Sequence, residues 1–142
     1  MMDGVTIRKL WPADRKTLKA HFGRLDTESL RMRFGGMPDP EFVARYAEAI
    51  PVLGSSVYGA FIGGVLRGSA ELRIILPSSN EAEAAFAVEK SFQDKGLGSA
   101  LMDRLLTAAQ NRGVARLHLI CLTENIRMRR LADKFGARIR IA

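Results

Sequence analysis

The segment from residue 82 to residue 122 constrains the fold of this chain more than any other. It begins with the apolar run AEAAFAV, passes through the glycine-bearing turn QDKGLG, and continues into a helical pattern in which Leu97, Leu101 and Leu105 share one face. The following run, ARLHLICL, is apolar at nearly every position, which is typical of a parallel strand covered on both faces. This order predicts a βαβ unit, in which a helix connects two parallel strands.

The rest of the chain predicts antiparallel strands and flanking helices. VTIRKL (5–10) alternates as a half-buried strand does, and residues 55–76 predict a hairpin that turns at Gly63 and Gly64. Helical patterns lie in ADRKTLKAHFGRL, DTESLRMRF and PEFVARYAEAI, and a last helix, NIRMRRLADKF, stops at Gly136. We predict an α+β fold with a mostly antiparallel mixed sheet, one βαβ unit, helices on both faces and a shortened C-terminal strand region.

Length and composition predict one globular domain, residues 1–142. Of the 142 residues, 47% are hydrophobic and 26% are charged, which suits a single core. No apolar run reaches the roughly 18 residues of a membrane-spanning helix, and the first residues lack the apolar core of a secretory signal. We therefore expect a cytoplasmic protein with no membrane partner. One cysteine and two histidines exclude an internal disulfide and a zinc cluster, and we expect no metal site.

The net charge of +7 is distributed unevenly. Residues 104–142 carry nine Lys and Arg against two Asp and Glu, residues 1–33 carry eight against four, and the middle of the chain is acidic. Basic ends are typical of nucleic-acid binding, but they serve equally for a polyanionic cofactor. The chain has few aromatic residues and no recognisable nucleic-acid motif, so nucleic acid is the less favoured partner.

The turn QDKGLG has the properties of an anion site. Backbone N–H groups at a helix start lack intrahelical partners, and the helix dipole adds about half a positive charge. Gly96 and Gly98 let the backbone approach a phosphate closely, and Lys95 and Ser99 stand beside them. Taken alone, G-x-G also occurs where a strand simply turns into a helix. The turn matches neither the Walker loop nor the dinucleotide fingerprint.

A second motif begins 27 positions after Gly98, where Asn125 opens the segment NIRMRRLADKFGA. A Q/R-x-x-G-x-G/A loop followed by an Asn-initiated helix that ends in Lys-x-Gly resembles the GNAT N-acetyltransferase superfamily. The resemblance covers essentially the whole chain. AEAAFAVEKSFQDKGLGSALMDRLL and LTENIRMRRLADKFGA are most similar to the acetyltransferase domain of bacterial protein lysine acetyltransferases. The resemblance implies the GNAT fold, with acetyl-CoA as co-substrate.

The resemblance also implies a cofactor-binding role for twelve residues. The backbone from residue 93 to residue 99 would hold the pyrophosphate of acetyl-CoA, and the strand edge before it would pair with the pantetheine arm. Asn125 would hydrogen-bond that arm from the other side. Arg129 would help to hold the negative charge, with a solvated helix face as its alternative interpretation. The twelve residues are Phe86, Ala87, Val88, Gln93, Asp94, Lys95, Gly96, Leu97, Gly98, Ser99, Asn125 and Arg129.

Acetyl transfer to an amine needs a base, because a lysine with an ordinary pKa near 10.4 is almost wholly protonated at pH 7. We predict Glu83 as the general base, since it is a carboxylate inside an apolar strand and the resembling proteins carry a glutamate at this position. A charged side chain at the solvent face of a strand is the alternative interpretation. Glu81, Glu71 and His118 are lesser candidates, and His118 is expected at the core or edge of its strand.

The chain departs from the superfamily pattern at two places. Many members place a tyrosine acid seven residues after the helix-opening Asn, and here that position is Ala132. A thiolate can leave unprotonated, so the alanine does not exclude catalysis. Only ARIRIA follows Gly136, where the superfamily usually has two strands, and an exposed sheet edge there predicts a homodimer.

The predicted function is an acetyl-CoA-dependent N-acetyltransferase that acts on a primary amine by direct attack in a ternary complex. A protein lysine is favoured as the acceptor, on the resemblance alone, over a small amine such as a polyamine or an aminoglycoside. A module that binds acetyl-CoA without turning it over is the alternative from another class. Ala132 and the short C-terminal region favour the module, whereas Glu83 favours the enzyme.

Overall fold

The computed structural model describes residues 4–52, 54–76, 80–121, 125–136 and 138–141. Within these residues, six strands and five α-helices follow one another, with short 3-10 turns at Pro12–Asp14 and Lys90–Phe92. The elements are β1 (Val5–Leu10), α1 (Arg15–Gly23), α2 (Thr27–Phe34), α3 (Pro40–Ala49), β2 (Ser55–Ile62), β3 (Val65–Leu76), β4 (Glu81–Val88), α4 (Leu97–Asn111), β5 (Arg116–Cys121), α5 (Ile126–Phe135) and β6 (Arg138–Ile141).

The strands form one sheet in the order β1-β2-β3-β4-β5-β6. The first four strands are antiparallel neighbours, and β5 runs parallel to β4 with α4 as the crossover helix. The predicted α+β class, mixed sheet and βαβ unit are therefore confirmed. β6 runs parallel to β5, so α5 is the crossover of a second βαβ unit that the sequence did not predict. Residues 138–141 of β6 pair with residues 118–121, the last four residues of β5.

Two apolar layers cover the two faces of the sheet, as predicted. Alternation along β2 sends Tyr58 and Ala60 to the layer under α4 and α5, and Val57 to the layer under α1 and α3. The layer under α4 and α5 includes the predicted leucine stripe of α4, which is almost completely buried. The sheet is thus enclosed between helices, and the turn between β4 and α4 lies where the two layers meet the end of the sheet.

Helices α2 and α3 begin at aspartates that cap them. The Asp26 side chain accepts a hydrogen bond from the backbone N–H of Ser29 (3.3 Å), and Asp39 accepts one from Glu41 (2.9 Å). A hydrogen bond from the Ser29 side chain lowers the pKa of Asp26 below its ordinary value. The caps set where α2 starts, and α2 forms one wall of the candidate site described below.

In the described parts of the chain, none of the helices has the length and apolar character required to cross a bilayer.

Gly59 is the position where the packing of the sheet is least tolerant of a side chain. A Cβ built on Gly59 would lie 2.7 Å from Cδ1 of Leu66 and 3.0 Å from Cδ2 of Leu10, and both leucines are buried. We predict that Gly59→Ala lowers the free energy of unfolding by about 1–3 kcal/mol through overpacking. Urea denaturation measures this change.

Gly23→Ala is the matched control, because nothing lies within 4 Å of a Cβ at Gly23 in the last turn of α1. This variant should be as stable as the wild type, or more stable by about 0.5–1 kcal/mol, since alanine is the better helix former. Equal denaturation midpoints for the two variants would contradict the predicted contact.

Candidate functional site

A cavity of about 720 Å³ lies between α2, the end of β4, the turn before α4, and α5. Ten of the twelve predicted cofactor residues line it, whereas Lys95 and Arg129 do not. The ten are Phe86, Ala87, Val88, Gln93, Asp94, Gly96, Leu97, Gly98, Ser99 and Asn125. The structure therefore brings the two predicted motifs together, although they are separated in the sequence.

Strand β4 has a free edge where it meets the cavity. Its pairing with β5 runs only from Glu81 to Ala84, while its pairing with β3 continues to Val88. Among the described strands, the segment 85–88 is therefore paired on one side only. An extended chain carrying amide groups, such as a pantetheine arm, can pair with backbone N–H and C=O groups at such an edge.

The turn before α4 presents a helix N-terminus to the cavity. Gly96 adopts φ +88°, which a glycine tolerates best, and α4 starts at Leu97 without a side-chain cap and without an acidic residue in its first turn. The first residues of the helix, Leu97 to Ser99, line the cavity. Their N–H groups precede the first intrahelical bond, from Ala100 to Gly96, and are therefore suited to an anion.

Gln93 connects three walls of the cavity through its side chain. Its Nε2 donates to the backbone oxygen of Val88 (2.9 Å) and to Oγ of Ser29 on α2 (3.1 Å). The sequence predicted only a backbone role for Gln93. The structure adds a structural one, because the amide holds the turn against the end of β4 and against α2.

The exposed face of α5 is strongly basic where it lines the cavity. Arg127, Arg130 and Lys134 stand at helical spacing on this face. Nζ of Lys134 contacts Oγ of Ser99 (3.0 Å), and Nε of Arg127 contacts Oδ1 of Asp94 (3.2 Å). The sequence predicted Arg129 and not these three residues, although their i, i+3, i+7 spacing indicates that they share one face of the helix.

Asn125 lines the cavity and also begins α5. Its Oδ1 accepts a hydrogen bond from the backbone N–H of Met128 (3.1 Å), so the side-chain carbonyl serves as the N-cap of the helix. The amide NH₂ is the part of the side chain left for a ligand. A ligand that binds Asn125 is thus expected to offer an acceptor such as a carbonyl oxygen.

Glu83 lies on β4 further from the turn, outside the residues that line the cavity. Its side chain is 14% exposed and forms an ion pair with Arg73, the residue opposite it on β3. The hydrogen bond with Glu83 raises the pKa of Arg73 above its ordinary value. Arg73 is itself 57% exposed, so this ion pair lies at the surface of the sheet.

The lesser candidate bases have other partners. Oε1 of Glu81 lies 2.7 Å from Nε2 of His118, at the end of β4 remote from the turn. Glu71 is 7% exposed and accepts a hydrogen bond from the hydroxyl of Tyr46, with O–O distances of 2.6 and 2.7 Å. Glu71 lies opposite Ala85, on the same face of the sheet as Glu83.

A buried ionic network behind the turn was not visible in the sequence. Glu89 follows β4 directly and accepts hydrogen bonds from Arg24 (3.1 Å) and Arg67 (2.8 Å), and it lies 2.9 Å from Nδ1 of the fully buried His21. The other ring nitrogen of His21 lies 3.0 Å from Oγ of Ser69. These groups come from α1, β3 and β4 and meet only in the folded chain.

The network has a clear effect on protonation. Burial opposes the charge of Glu89, but the hydrogen bonds with His21, Arg24 and Arg67 outweigh it and lower the pKa of Glu89 to about 2. Burial lowers the pKa of His21, although the contact with Glu89 acts in the opposite direction. Glu89 is therefore ionised and His21 neutral near pH 7.

The similarity to known proteins extends over most of the chain. The model of the acetyltransferase (GNAT) family matches residues 25–137. A curated relative, acetyltransferase Pat of Mycolicibacterium smegmatis, is 43% identical over 56 residues. That match covers 39% of this chain and only 17% of the relative's length.

Solved structures show the same fold. The GNAT domain of S. lividans PAT superposes with a TM-score of 0.79 at 23% identity, covering 93% of this chain and 80% of that one. The yncA protein of Salmonella typhimurium, a putative acetyltransferase solved with its cofactor acetyl-CoA, superposes with a TM-score of 0.71 at 24% identity, covering 93% and 78%.

The Glu89 network is expected to contribute strongly to stability. Glu89→Gln should lower the free energy of unfolding by about 3 kcal/mol at pH 7, because Arg24 and Arg67 lose a buried carboxylate. Urea denaturation measures the change. Glu48→Gln, which removes an exposed carboxylate paired with Lys19, is the control and should match the wild type.

Acid should weaken the wild type by the same network. The lowered pKa of His21 favours the fold fully above about pH 6.5 and less as pH falls, and the lowered pKa of Glu89 acts from about pH 4.5 down to about 2. Below pH 4.5 the stability of Glu89→Gln should therefore decline less steeply than that of the wild type. Parallel curves, or equal stability of the two Gln variants at pH 7, would contradict the network's role.

Proposed function

The chain belongs to the acetyltransferase (GNAT) family, whose co-substrate is acetyl-CoA, and on that premise we propose that it transfers acetyl to the side-chain amine of a protein lysine. The transfer proceeds by direct attack in a ternary complex, with Glu83 as the general base. The observation that carries this proposal is the cavity that joins the free edge of β4, the uncapped start of α4 and the basic face of α5.

The residues present fit the parts of acetyl-CoA. The N–H groups of Leu97 to Ser99 and the cations of α5 suit the pyrophosphate, because a helix N-terminus and guanidinium groups both attract phosphate. The free edge at residues 86–88 suits the amides of the pantetheine arm. The Asn125 amide can donate to a carbonyl of that arm. When bound, acetyl-CoA supplies the activated acyl group.

In this proposal, Glu83 receives the proton of the acceptor. Neutralising a lysine amine at pH 7 costs about 4.6 kcal/mol, since the ordinary pKa lies about 3.4 above that pH. If the arm pairs with residues 86–88, the thioester lies towards Ala85 and Glu83, further along the same strand. Glu83 then reaches the amine directly or through one water once Arg73 turns towards solvent.

A cationic acceptor agrees with the charges around the site. Glu71 and Glu83 share one face of the sheet beside Ala85, towards which the thioester is expected to lie. These carboxylates favour an ammonium group over an anion. The similarity to Pat supports a protein lysine, whereas a polyamine or aminoglycoside is the alternative that the same charges allow.

A binding module without turnover is the second candidate function. Its support is that the usual position of the tyrosine acid is Ala132, which is fully buried and is not among the described residues that line the cavity. The cytoplasmic location, the single domain spanning residues 1–142 and the homodimer also stay predictions from the sequence.

Glu83→Gln separates an enzyme from a module. We expect the variant to bind acetyl-CoA as the wild type does but to release thiol with an amine acceptor about 10²–10⁴-fold more slowly, since it has lost its base. Calorimetry measures binding, and a thiol assay measures turnover. Glu81→Gln, the same change two residues earlier on β4, should retain turnover. Binding without thiol release in all three proteins would favour the module.

Acetyl-lysine mass spectrometry tests the acceptor class. The protein is incubated with cell lysate and labelled acetyl-CoA, with Glu83→Gln as the matched control. We expect labelled acetyl groups on lysine side chains of particular proteins with the wild type and not with the variant. Label found on small amines alone would reject the lysine and support the alternative acceptor.

A further inference from the structure

In the described part of the cavity, the leaving thiolate has no tyrosine beside it to supply a proton. Among the described residues that line the cavity, none is a tyrosine, histidine or cysteine. The titratable groups that line it are the carboxylates of Asp26, Glu28 and Asp94 and the side chains of Lys and Arg. Negative charge on the departing sulfur is therefore best stabilised by a fixed cation.

Arg33 is the cation on the α2 wall of the cavity. Ser29, one turn earlier on α2, contacts Gln93 and so marks the end of the cavity near the turn. Arg33 lies about 6 Å further along the helix axis.

Through the hydroxyl of Tyr46, Arg33 is connected to Glu71 on β3. Glu71 lies opposite Ala85, which is about 10 Å along β4 from Val88. Arg33 thus lies towards the end of the site where the thioester is expected.

A hydrogen-bonded chain holds Arg33 in place. Its Nη2 lies 3.2 Å from the hydroxyl of Tyr46, and that hydroxyl donates to Glu71. The guanidinium also lies over the rings of Phe34 (4.6 Å) and Tyr46 (5.4 Å). Burial raises the pKa of Tyr46, so the phenol stays protonated and keeps donating to the carboxylate.

The same chain ends beside the candidate base. Glu71 lies opposite Ala85, two residues from Glu83 on β4, and Arg73 stands between the two glutamates on the same face. By contrast, Lys134 and Arg127 contact Ser99 and Asp94 at the turn. The cavity therefore has cations for the phosphates at one end and Arg33 near the base at the other.

We infer that Arg33 is a catalytic residue that stabilises the coenzyme A thiolate as it leaves, with Tyr46 and Glu71 as the residues that position it. The inference rests on the proposed function.

In the reaction, Glu83 or water takes one proton from the ammonium, and the amine lone pair forms the C–N bond. The C–S bond then breaks with its electron pair on sulfur, and the second nitrogen proton passes to solvent. The thiolate forms beside Arg33 and is later protonated by water.

The test is the pKa of the coenzyme A thiol while it is bound, read from the ultraviolet absorbance of the thiolate as pH is raised. Binding of coenzyme A to the wild type should lower that pKa by about one to three pH units relative to free coenzyme A, as an adjacent opposite charge does. Arg33→Gln should return it close to the free value. Tyr46→Phe should give an intermediate value, because the cation remains but loses its anchor.

Two controls separate a contact with sulfur from a general effect of charge. Arg45→Gln removes an exposed guanidinium on α3, paired with Glu41, and should keep the wild-type thiol pKa. Desulfo-coenzyme A should bind the wild type and Arg33→Gln with equal affinity by calorimetry. Arg33→Lys retains the charge and should keep most of the lowered thiol pKa, and Tyr46→Phe is the second variant if Arg33→Gln does not fold.

The outcomes distinguish this inference from the proposed function. Equal thiol pKa values in the wild type, Arg33→Gln and Arg33→Lys would overturn the role of Arg33, even if acetyl transfer is observed. A lowered pKa that Arg33→Gln abolishes and Arg33→Lys largely keeps would support it, even if the acceptor lysine is never found. Failure of the wild type to bind coenzyme A would overturn both proposals.

Discussion

The geometry of the site depends on the hydrogen bonds of the Glu89 carboxylate. At the point where β4 ends, this carboxylate accepts hydrogen bonds from groups of α1 and β3. The backbone N–H of Glu89 also donates to the backbone oxygen of Arg67. The guanidinium of Arg67 also lies over the ring of Phe92, 4.7 Å from its centre, in the short turn that follows. One buried anion therefore fixes the end of β4 and the path of the chain into α4.

Positive and negative charges lie in different parts of the site. The turn and α5 present N–H groups and cations, which suit phosphate. On the sheet face near Glu83, Arg73 lies between the carboxylates of Glu71 and Glu83. Glu71 is connected through Tyr46 on α3 to Arg33 on α2. Under the proposed function, a long anionic cofactor and a cationic acceptor would approach the same strand from its two ends without competing for the same charges.

Features that depend on neighbouring residues in the chain could be predicted from the sequence. The turn QDKGLG, the leucine stripe of α4 and the Asn-capped α5 are local patterns, and the structure joins them in one cavity. The hydrogen-bonded pairs of His21 with Glu89 and of Arg33 with Tyr46 could not be predicted. Their members are 68 and 13 positions apart in the chain, and no local sequence pattern marks them. The second βαβ crossover was missed because four residues make a weak strand signal.

The sequence by itself determined the order of strands and helices as far as α5, the glycine-bearing turn before α4 and the family, because side-chain periodicity and glycine placement act over a few residues. Only the tertiary structure decided which cations of α5 line the cavity, where β4 parts from β5, and that Glu83 is paired with Arg73. The physical reason is that burial and Coulomb interactions depend on distance in space. Chain folding brings β3, β4 and α1–α3 within that distance, and no spacing along the chain encodes it.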